Sequence, residues 1–376
     1  MDAIADWLCR SDYPNILSVF VVAWLALLTG LINWGFSLIF CGMLAARINE
    51  RFRQKEAQDR EATFNYPLVA ACAYLGMLVW HGGLSGSAPL MAHQQIPLEK
   101  TLFSSENLFA NGMMFALPVF ILFCVVPFFH GKHFSPPPPI EPTEPAPPAS
   151  EQWHDWLFAG VCTVSVAFLV LLAAFIGVWS PNAIDAVGLT VIVLLALGLL
   201  LATNASNYQE NLRGATTDFV PILVQFPFYA GIVGVAAMDN NQIVRDASGW
   251  MVDAESFFSG NMPAWFPVIV DAKQAFLVRL FFQACIVKFF VPSGAMHWEL
   301  QGQVTLDENV NNNLGVEPAK IVLAIAYGHQ VGNMLQPFWV LPIVSLTRLR
   351  VADILAFSAF CAIPAAAVFL GCLLWI

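Results

Sequence analysis

Four ionisable side chains, His81, Lys288, His297 and His329, stand in stretches that are otherwise apolar. Each lies close to a glycine or proline that interrupts a hydrophobic run, and the interruptions also gather small polar groups. Asn33 and Gly35 flank Trp34; Ser85, Gly86 and Ser87 follow His81; Ser293 and Gly294 precede His297; Asn333 and Gln336 follow His329; Gln225 stands two residues before Pro227. A helix that stops inside a membrane leaves backbone groups without intrahelical partners. Freed amides at a half-helix N-terminus favour an anion, while freed carbonyls with Asn, Gln and Ser oxygens suit a cation. Histidine can pass a proton near neutral pH. Each residue also has a plainer role: a glycine break can be a kink, a histidine near it a structural hydrogen-bonder, and Gln225 the partner of the carbonyl that Pro227 frees. Enzyme chemistry is disfavoured. A membrane hydrolase or acyltransferase needs a His/Asp or His/Glu cluster, and none of the usual spacings occurs. His130-Gly131-Lys132-His133 has no further ligands nearby, so no catalytic residue, metal set or cofactor is assigned.

The elements that must position these residues are membrane helices. The chain has 376 residues, 58% hydrophobic and 11% charged, where a soluble domain carries about 25% charged residues. That is too little charge for a surface wholly in water, and lipid must cover part of it. A net charge of −10 and the absence of a basic cluster argue against nucleic acid. The eight cysteines form no Cys-x-x-Cys pair and lie mostly in apolar stretches, as small hydrophobes do. No cleavable signal peptide is evident.

A crossing helix takes about 20 apolar residues. Segments 108–129, 157–179, 184–203, 216–238 and 352–375 meet this without interruption. Four others break internally: 16–46 at Asn33-Trp34-Gly35, 65–92 at His81-Gly82-Gly83, 266–306 at Val291 to Gly294, and 318–346 from Gly328 to Pro337. The proline-rich stretch within 130–153 is an extended linker. Lys and Arg mark cytoplasmic loops, which puts loop 47–63, the linker, loop 204–214 and loop 347–351 inside. Loops 93–104 and 239–264 and the C-terminus then lie outside.

The order of the breaks recurs. An interrupted hairpin-like segment (16–46) followed by a broken helix (65–92) and a plain helix (108–129) makes a first repeat, 1–129. The second, 154–376, holds helices 157–179, 184–203 and 216–238, hairpin 266–306, broken helix 318–346 and helix 352–375. The loop after the first hairpin is cytoplasmic and that after the second external, so the repeats are inverted. The expectation is an all-α integral membrane protein, an inverted-repeat secondary transporter with two re-entrant hairpins and two discontinuous helices.

At these motifs the sequence resembles the short-chain fatty acid transporter family, bacterial carriers linked to acetoacetate and butyrate uptake. The resemblance rests on Ile32-Asn33-Trp34-Gly35-Phe36, Gly82 to Ser87, Thr101 to Ser104, Val224 to Gly231, Val291 to Gly294, His297-Trp298, Gln301-Gly302, Asn333-Met334 and Gln336 to Trp339. It implies membership of the ion-transporter superfamily and an elevator motion in a bacterial inner membrane. It also implies a short-chain carboxylate as substrate and cation coupling by Na+ or H+, and it is compatible with a homodimer. Asn33, Gly35, Ser85, Gly86, Ser87, Gln225, Ser293, Gly294, His297, Asn333 and Gln336 would frame the substrate, whose alkyl tail would rest on a neighbour such as Trp34 or Trp298. Asn33, Lys288 and His329 would serve the coupling cation.

The chain departs from the family pattern at several of these positions. Lys288 replaces an asparagine expected before the second tip. A lysine at that depth needs a partner or a cavity: it either stands in for a bound cation or points into an aqueous vestibule. Ala295 and Met296 replace tip glycines, His329 replaces an acidic residue, and Glu299 adds a carboxylate beside His297-Trp298. The N-terminal side is short by about two membrane helices. The other readings are a carrier of a C4-dicarboxylate, a sensor, and a truncated paralogue without transport.

Overall fold

The computed structural model describes residues 1–10, 14–56, 65–125 and 271–375, with short helical stretches between 158 and 231. Linker 130–153, most of helices 157–179, 184–203 and 216–238, and Gln225 lie outside the described residues. Two units are distinguished, 1–135 with 221–376, and 136–220. The longest described stretch of the smaller unit is a helix over residues 160–168. The elements that carry the interrupted segments all belong to the larger unit.

Every described element is helical. Helix α1 spans Asp2–Arg10, α2 Pro14–Ile32 and α3 Trp34–Glu56. Then come α4 (Tyr66–Tyr74), two short 3-10 turns (Leu75–Leu78 and Trp80–Gly82) and α5 (Ser87–Ala92). Helix α6 (Ser105–Met113) and α7 (Leu117–Phe120) follow, joined by a 3-10 turn and ending in a π turn at Ile121–Val125. The later elements are α8 (Ala272–Val287), α9 (Gly294–Asn311), α10 (Pro318–Asn333), α11 (Leu341–Thr347) and α12 (Val351–Trp375). Among the described residues, four stretches are long and apolar enough to cross a membrane: Asn15–Ile32, Tyr66–Ala92, Ser105–Cys124 and Val351–Leu374.

Helices α2 and α3 fold back on each other at Asn33. Ser37 Oγ donates to Ala26 O at 2.9 Å, whereas a straight helix at 1.5 Å per residue would hold these residues about 16 Å apart. Asn33 starts α3 by accepting the Phe36 amide at 3.0 Å, as an N-cap does. Helices α8 and α9 fold back likewise: Gln283 Nε2 reaches Gln301 Oε1 at 3.1 Å, and Arg279 pairs with Glu308 at 2.6 Å. A capping box of Asp271 and Gln274 opens α8, and Ser293 caps α9.

The open bases of the two hairpins lie at opposite ends of the unit. At one end Arg51 of α3 pairs with Asp6 of α1 at 2.9 Å, the Asn65 amide donates to Asn15 Oδ1 at 3.2 Å, and Tyr66 OH donates to Thr347 O at 3.1 Å. At the other end Gln274 Nε2 donates to Leu374 O at 3.1 Å and Lys100 pairs with Glu317 at 3.4 Å. The first broken helix starts at the Thr347 end with Tyr66 and the second at the Lys100–Glu317 end with Pro318, so they run in opposite directions, each interrupted part-way.

The breaks fall elsewhere than the glycines suggest. Helix α10 runs unbroken through Gly328 to Asn333, because Gly328 serves close packing. A Cβ there would strike Phe281 O, with Ala284 Cβ at 2.6 Å. The interruption comes at 334–340, around Pro337, where proline removes a donor. In the first broken helix the α-helix gives way at Leu75, six residues before His81.

Candidate functional site

The tightened segment after α4 leaves carbonyls that the other broken helix fills. Asn333 Nδ2 donates to Met77 O at 2.8 Å, and Gln330 Nε2 donates to Leu78 O. In return Tyr74 OH donates to Asn333 O at 2.8 Å, one of the carbonyls left open where α10 ends. The two broken helices therefore cap each other, and the stretch 66–92 is 94% buried over its most apolar window. This meets the requirement that irregular backbone at membrane depth be enclosed in protein.

Both hairpin tips dock onto these breaks. At the first tip the Leu84 amide donates to Leu31 O at 2.7 Å and the Trp34 amide to Ser85 Oγ at 3.3 Å. At the second, Trp339 Nε1 donates to Pro292 O at 3.1 Å. Gly294 lies so close to the first break that a Cβ would meet the His81 ring at 2.9 Å and Ser87 Oγ at 3.0 Å.

At the junction sits Lys288, the C-cap of α8, with 0% of its surface exposed. This burial goes against a vestibule position. Its ammonium donates to Pro292 O and lies 5.3 Å from the Trp80 ring centroid and 5.5 Å from that of Trp339. Trp34 completes an aromatic cluster, 5.3 Å from Trp80 and 4.8 Å from Trp339. Cation–π contacts with desolvated indoles contribute up to about 2 kcal/mol each, less than the several kcal/mol that burying an ion costs. Among the described residues, no carboxylate forms an ion pair with Lys288.

Three imidazoles lie beside it. His81 stacks on Trp80 with centroids 4.2 Å apart, and its Nδ1 is 3.2 Å from Ser87 Oγ. His297 Nδ1 and His329 Nε2 share a 2.7 Å hydrogen bond, and His297 Nε2 is 2.7 Å from Gln301 Oε1. The His81 and His329 rings meet edge to face at 5.3 Å. Five buried polar atoms here have no hydrogen-bond partner among the described residues: His81 Nε2, His329 Nδ1, Gln330 Oε1, Asn333 Oδ1 and Gln336 Oε1. Unpaired buried groups of this kind are uncommon in native proteins.

Of the residues singled out in the sequence, Asn33, Ser85, Gly86, Ser87, Lys288, Ser293, Gly294, His297, His329, Asn333 and Gln336 come together here, with Gly35 in the first turn of α3. Several have structural duties: Asn33 and Ser293 cap helices, and Ser85 Oγ holds the first tip. Of the two proposed apolar rests, Trp34 lies at the junction, while Trp298 packs over Gly302 of its own helix. Glu299 is exposed and brings no carboxylate to the cluster.

A family model for the short chain fatty acid transporter matches residues 11–132 and 160–376. The chain belongs to that family. Two bacterial proteins, each named "Putative short-chain fatty acid transporter", match most of its length. That of Escherichia coli (strain K12) is 30% identical over 366 residues, 91% of this chain and 74% of its own. That of Haemophilus influenzae (strain ATCC 51907 / DSM 11121 / KW20 / Rd) is 29% identical over 377 residues, 94% of this chain and 77% of its own. No solved structure matches. With its apolar helices, this member of the short-chain fatty acid transporter family is an all-α membrane protein.

Sequence reasoning missed Trp80, Trp339, Gln330, Asn107 and Asn111. Asn107 Nδ2 donates to Gly82 O at 2.9 Å, Asn111 Nδ2 to Asn107 Oδ1 at 2.7 Å, and Gln330 Nε2 to Asn111 Oδ1 at 2.9 Å. The signal was present in α6, where two asparagines one turn apart enter an apolar helix. Nothing in the sequence linked them to Gln330.

Proposed function

We propose that this protein is a secondary carrier of short-chain carboxylates of the butyrate and acetoacetate type, coupled to a cation and multi-pass in a bacterial inner membrane. The observation that carries the reading is the meeting of two hairpin tips and two helix breaks around a buried lysine that pairs with no carboxylate among the described residues. A monocarboxylate supplies the missing countercharge. Its oxygens face the Lys288 ammonium and the first amides of α9 at Gly294 and Ala295, and its short tail rests against Trp34. Ser85, Ser87, Ser293, Asn333 and Gln336 supply the polar wall. Asn33, Gly35, Gly86 and His297 hold tips and breaks in register, and Gln225 stays a candidate from sequence. Lys288 then stands where a bound cation would otherwise sit, with Asn33 and His329 as the other cation-coupling positions.

Support for inverted repeats and re-entrant hairpins comes from the opposite placement of the two hairpin bases and the convergence of their tips. An elevator motion, carrying this junction past a fixed scaffold, fits that arrangement. The names of the two relatives favour short-chain fatty acids as the substrate class. A single buried ammonium favours a monocarboxylate over a C4-dicarboxylate, which asks for a second donor cluster.

The test is uptake of labelled butyrate and acetoacetate into proteoliposomes, with Na+ and pH gradients imposed separately and uptake by protein-free vesicles subtracted. Saturable accumulation driven by one gradient, competed by acetate but not by succinate, is expected. Correctly inserted protein that responds to neither gradient overturns the reading.

A further inference from the structure

The His297–His329 hydrogen bond belongs to a longer chain. As the side chains stand, Gln301 Oε1 accepts from Gln283 Nε2 at 3.1 Å and from His297 Nε2 at 2.7 Å. His297 Nδ1 must then accept, and His329 Nε2–H donates to it at 2.7 Å. His329 Nδ1 is left as a buried lone pair with no partner among the described residues. If both glutamine amides turn over together, every donor and acceptor exchanges and Nδ1 carries the hydrogen instead. Either way the neutral pair holds one shared proton between its rings; in the first arrangement the outer nitrogen, His329 Nδ1, is open to a second proton, and that is the arrangement the step below uses.

The charges around this nitrogen decide when a second proton can enter. The titratable groups facing it are Lys288 from the end of α8, His297 from α9 and His81 from the turns after α4. Cys285 of α8 donates to Gly328 O at 3.2 Å, one residue away, and α12 brings Cys372 beside Tyr327. Among the described residues no Asp or Glu pairs with any of the three histidines. A proton added to the site before substrate binds would face the Lys288 ammonium across buried space, which like charges strongly oppose. A bound carboxylate cancels the lysine charge and removes that opposition.

We propose that the coupling ion is a proton held on the His329–His297 pair, and that the substrate carboxylate, by neutralising Lys288, admits it. The proposal rests on the carboxylate reading above. In the step, His329 Nδ1 gains a proton from the aqueous side and becomes imidazolium. Its Nε2–H, hydrogen-bonded to His297 Nδ1, spreads the charge over both rings, and Gln301 Oε1 supports the far end. With Lys288 as an ammonium, the empty carrier has one positive charge. The loaded carrier has Lys288, the carboxylate and the extra proton, again summing to one. Carrier species that cross the membrane therefore match in charge, and each ligand favours the other by the same free energy. Sodium has no part in it.

Proton uptake on ligand binding tests this with purified, detergent-solubilised full chain. Butyrate is added to weakly buffered protein containing a pH indicator, and bound butyrate is measured by equilibrium dialysis of the labelled acid. The wild type is expected to take up about one proton per butyrate bound between about pH 6 and 8, with a maximum inside that range and no change on adding Na+. In His329→Gln the proton count per bound butyrate falls to near zero, whatever the affinity. His297→Gln, which keeps a polar group beside Gln301, gives an intermediate count and serves if the first variant does not fold. Wild-type binding without proton uptake, or a full proton in His329→Gln, overturns the proton assignment and leaves the carboxylate reading standing. No binding of butyrate by folded wild type overturns both.

Discussion

Lys288 shows how one residue can carry opposite consequences for stability and for binding. Its ammonium is held by one carbonyl and two indole faces, which compensate only part of its desolvation. Replacing it with methionine, similar in volume and flexible enough to fill the same space, removes that penalty. Lys288→Met should therefore raise the unfolding temperature of the empty protein, by the equivalent of about 1–3 kcal/mol. The same variant loses the charge-assisted contact with the carboxylate and should weaken butyrate binding by about 10- to 100-fold. Thermal melts and equilibrium dialysis on one preparation check both signs; a drop in melting temperature with unchanged affinity would make Lys288 purely structural. The sequence made the lysine conspicuous, because a cation in an apolar run needs a partner. It could not show that Trp80 and Trp339 were the partners, since they come from two separate breaks and aromatic residues are frequent throughout this chain.

At the scale of elements, glycine was a good guide to close approach and a poor guide to helix ends. Gly328 lies within α10 and lets it lie against α8, while Gly83 lets the first tip reach the first break: a Cβ there would strike Leu31 O. Gly83→Ala should push the first hairpin off its seat and cost about 1–3 kcal/mol, as overpacking does. Gly112, in α6, has open space where a Cβ would project, with nothing within 4 Å, so Gly112→Ala should instead stabilise by up to about 1 kcal/mol through helix propensity. Opposite shifts in melting temperature are expected, and equal shifts would remove the packing argument. Asn333→Leu leaves Met77 O without its donor and should cost about 1–3 kcal/mol, with Tyr74→Phe a milder companion at the other side of the exchange. Hydropathy located the four interruptions to within a turn or two. It could not place them closer, because the 3-10 segment from Leu75 is fixed by Gln330 and Asn333, more than 250 positions away.

At the scale of the molecule, the sequence bears most directly on which end faces which side of the membrane. Arg47, Arg51, Arg53, Arg348 and Arg350 belong to the segments at one end, with the base of the first hairpin. By the positive-inside rule that end is expected on the cytoplasmic side. A reporter fused after Ile376 should then be active only outside, and one inserted after Glu56 only inside; the reverse pattern would turn the topology over. The sequence suggests the order of hairpin, broken helix and plain helix twice along the chain, because each element leaves its own mark on hydropathy. How the two broken helices interlock could not be read there, since that depends on side chains from one reaching the backbone of the other.

That interlocking limits how the site can open. Tyr74, Met77 and Leu78 are tied to Gln330 and Asn333 in both directions, so prising the two interrupted helices apart would strand several buried dipoles at once. The first tip is bound to its break backbone to backbone, through the Leu84 amide and Leu31 O, as well as through Ser85. The second meets its break through the buried Trp339 indole, which donates to Pro292 O and packs on Trp34 and Trp80, so the two seats are held by different chemistry, backbone at one and an aromatic side chain at the other.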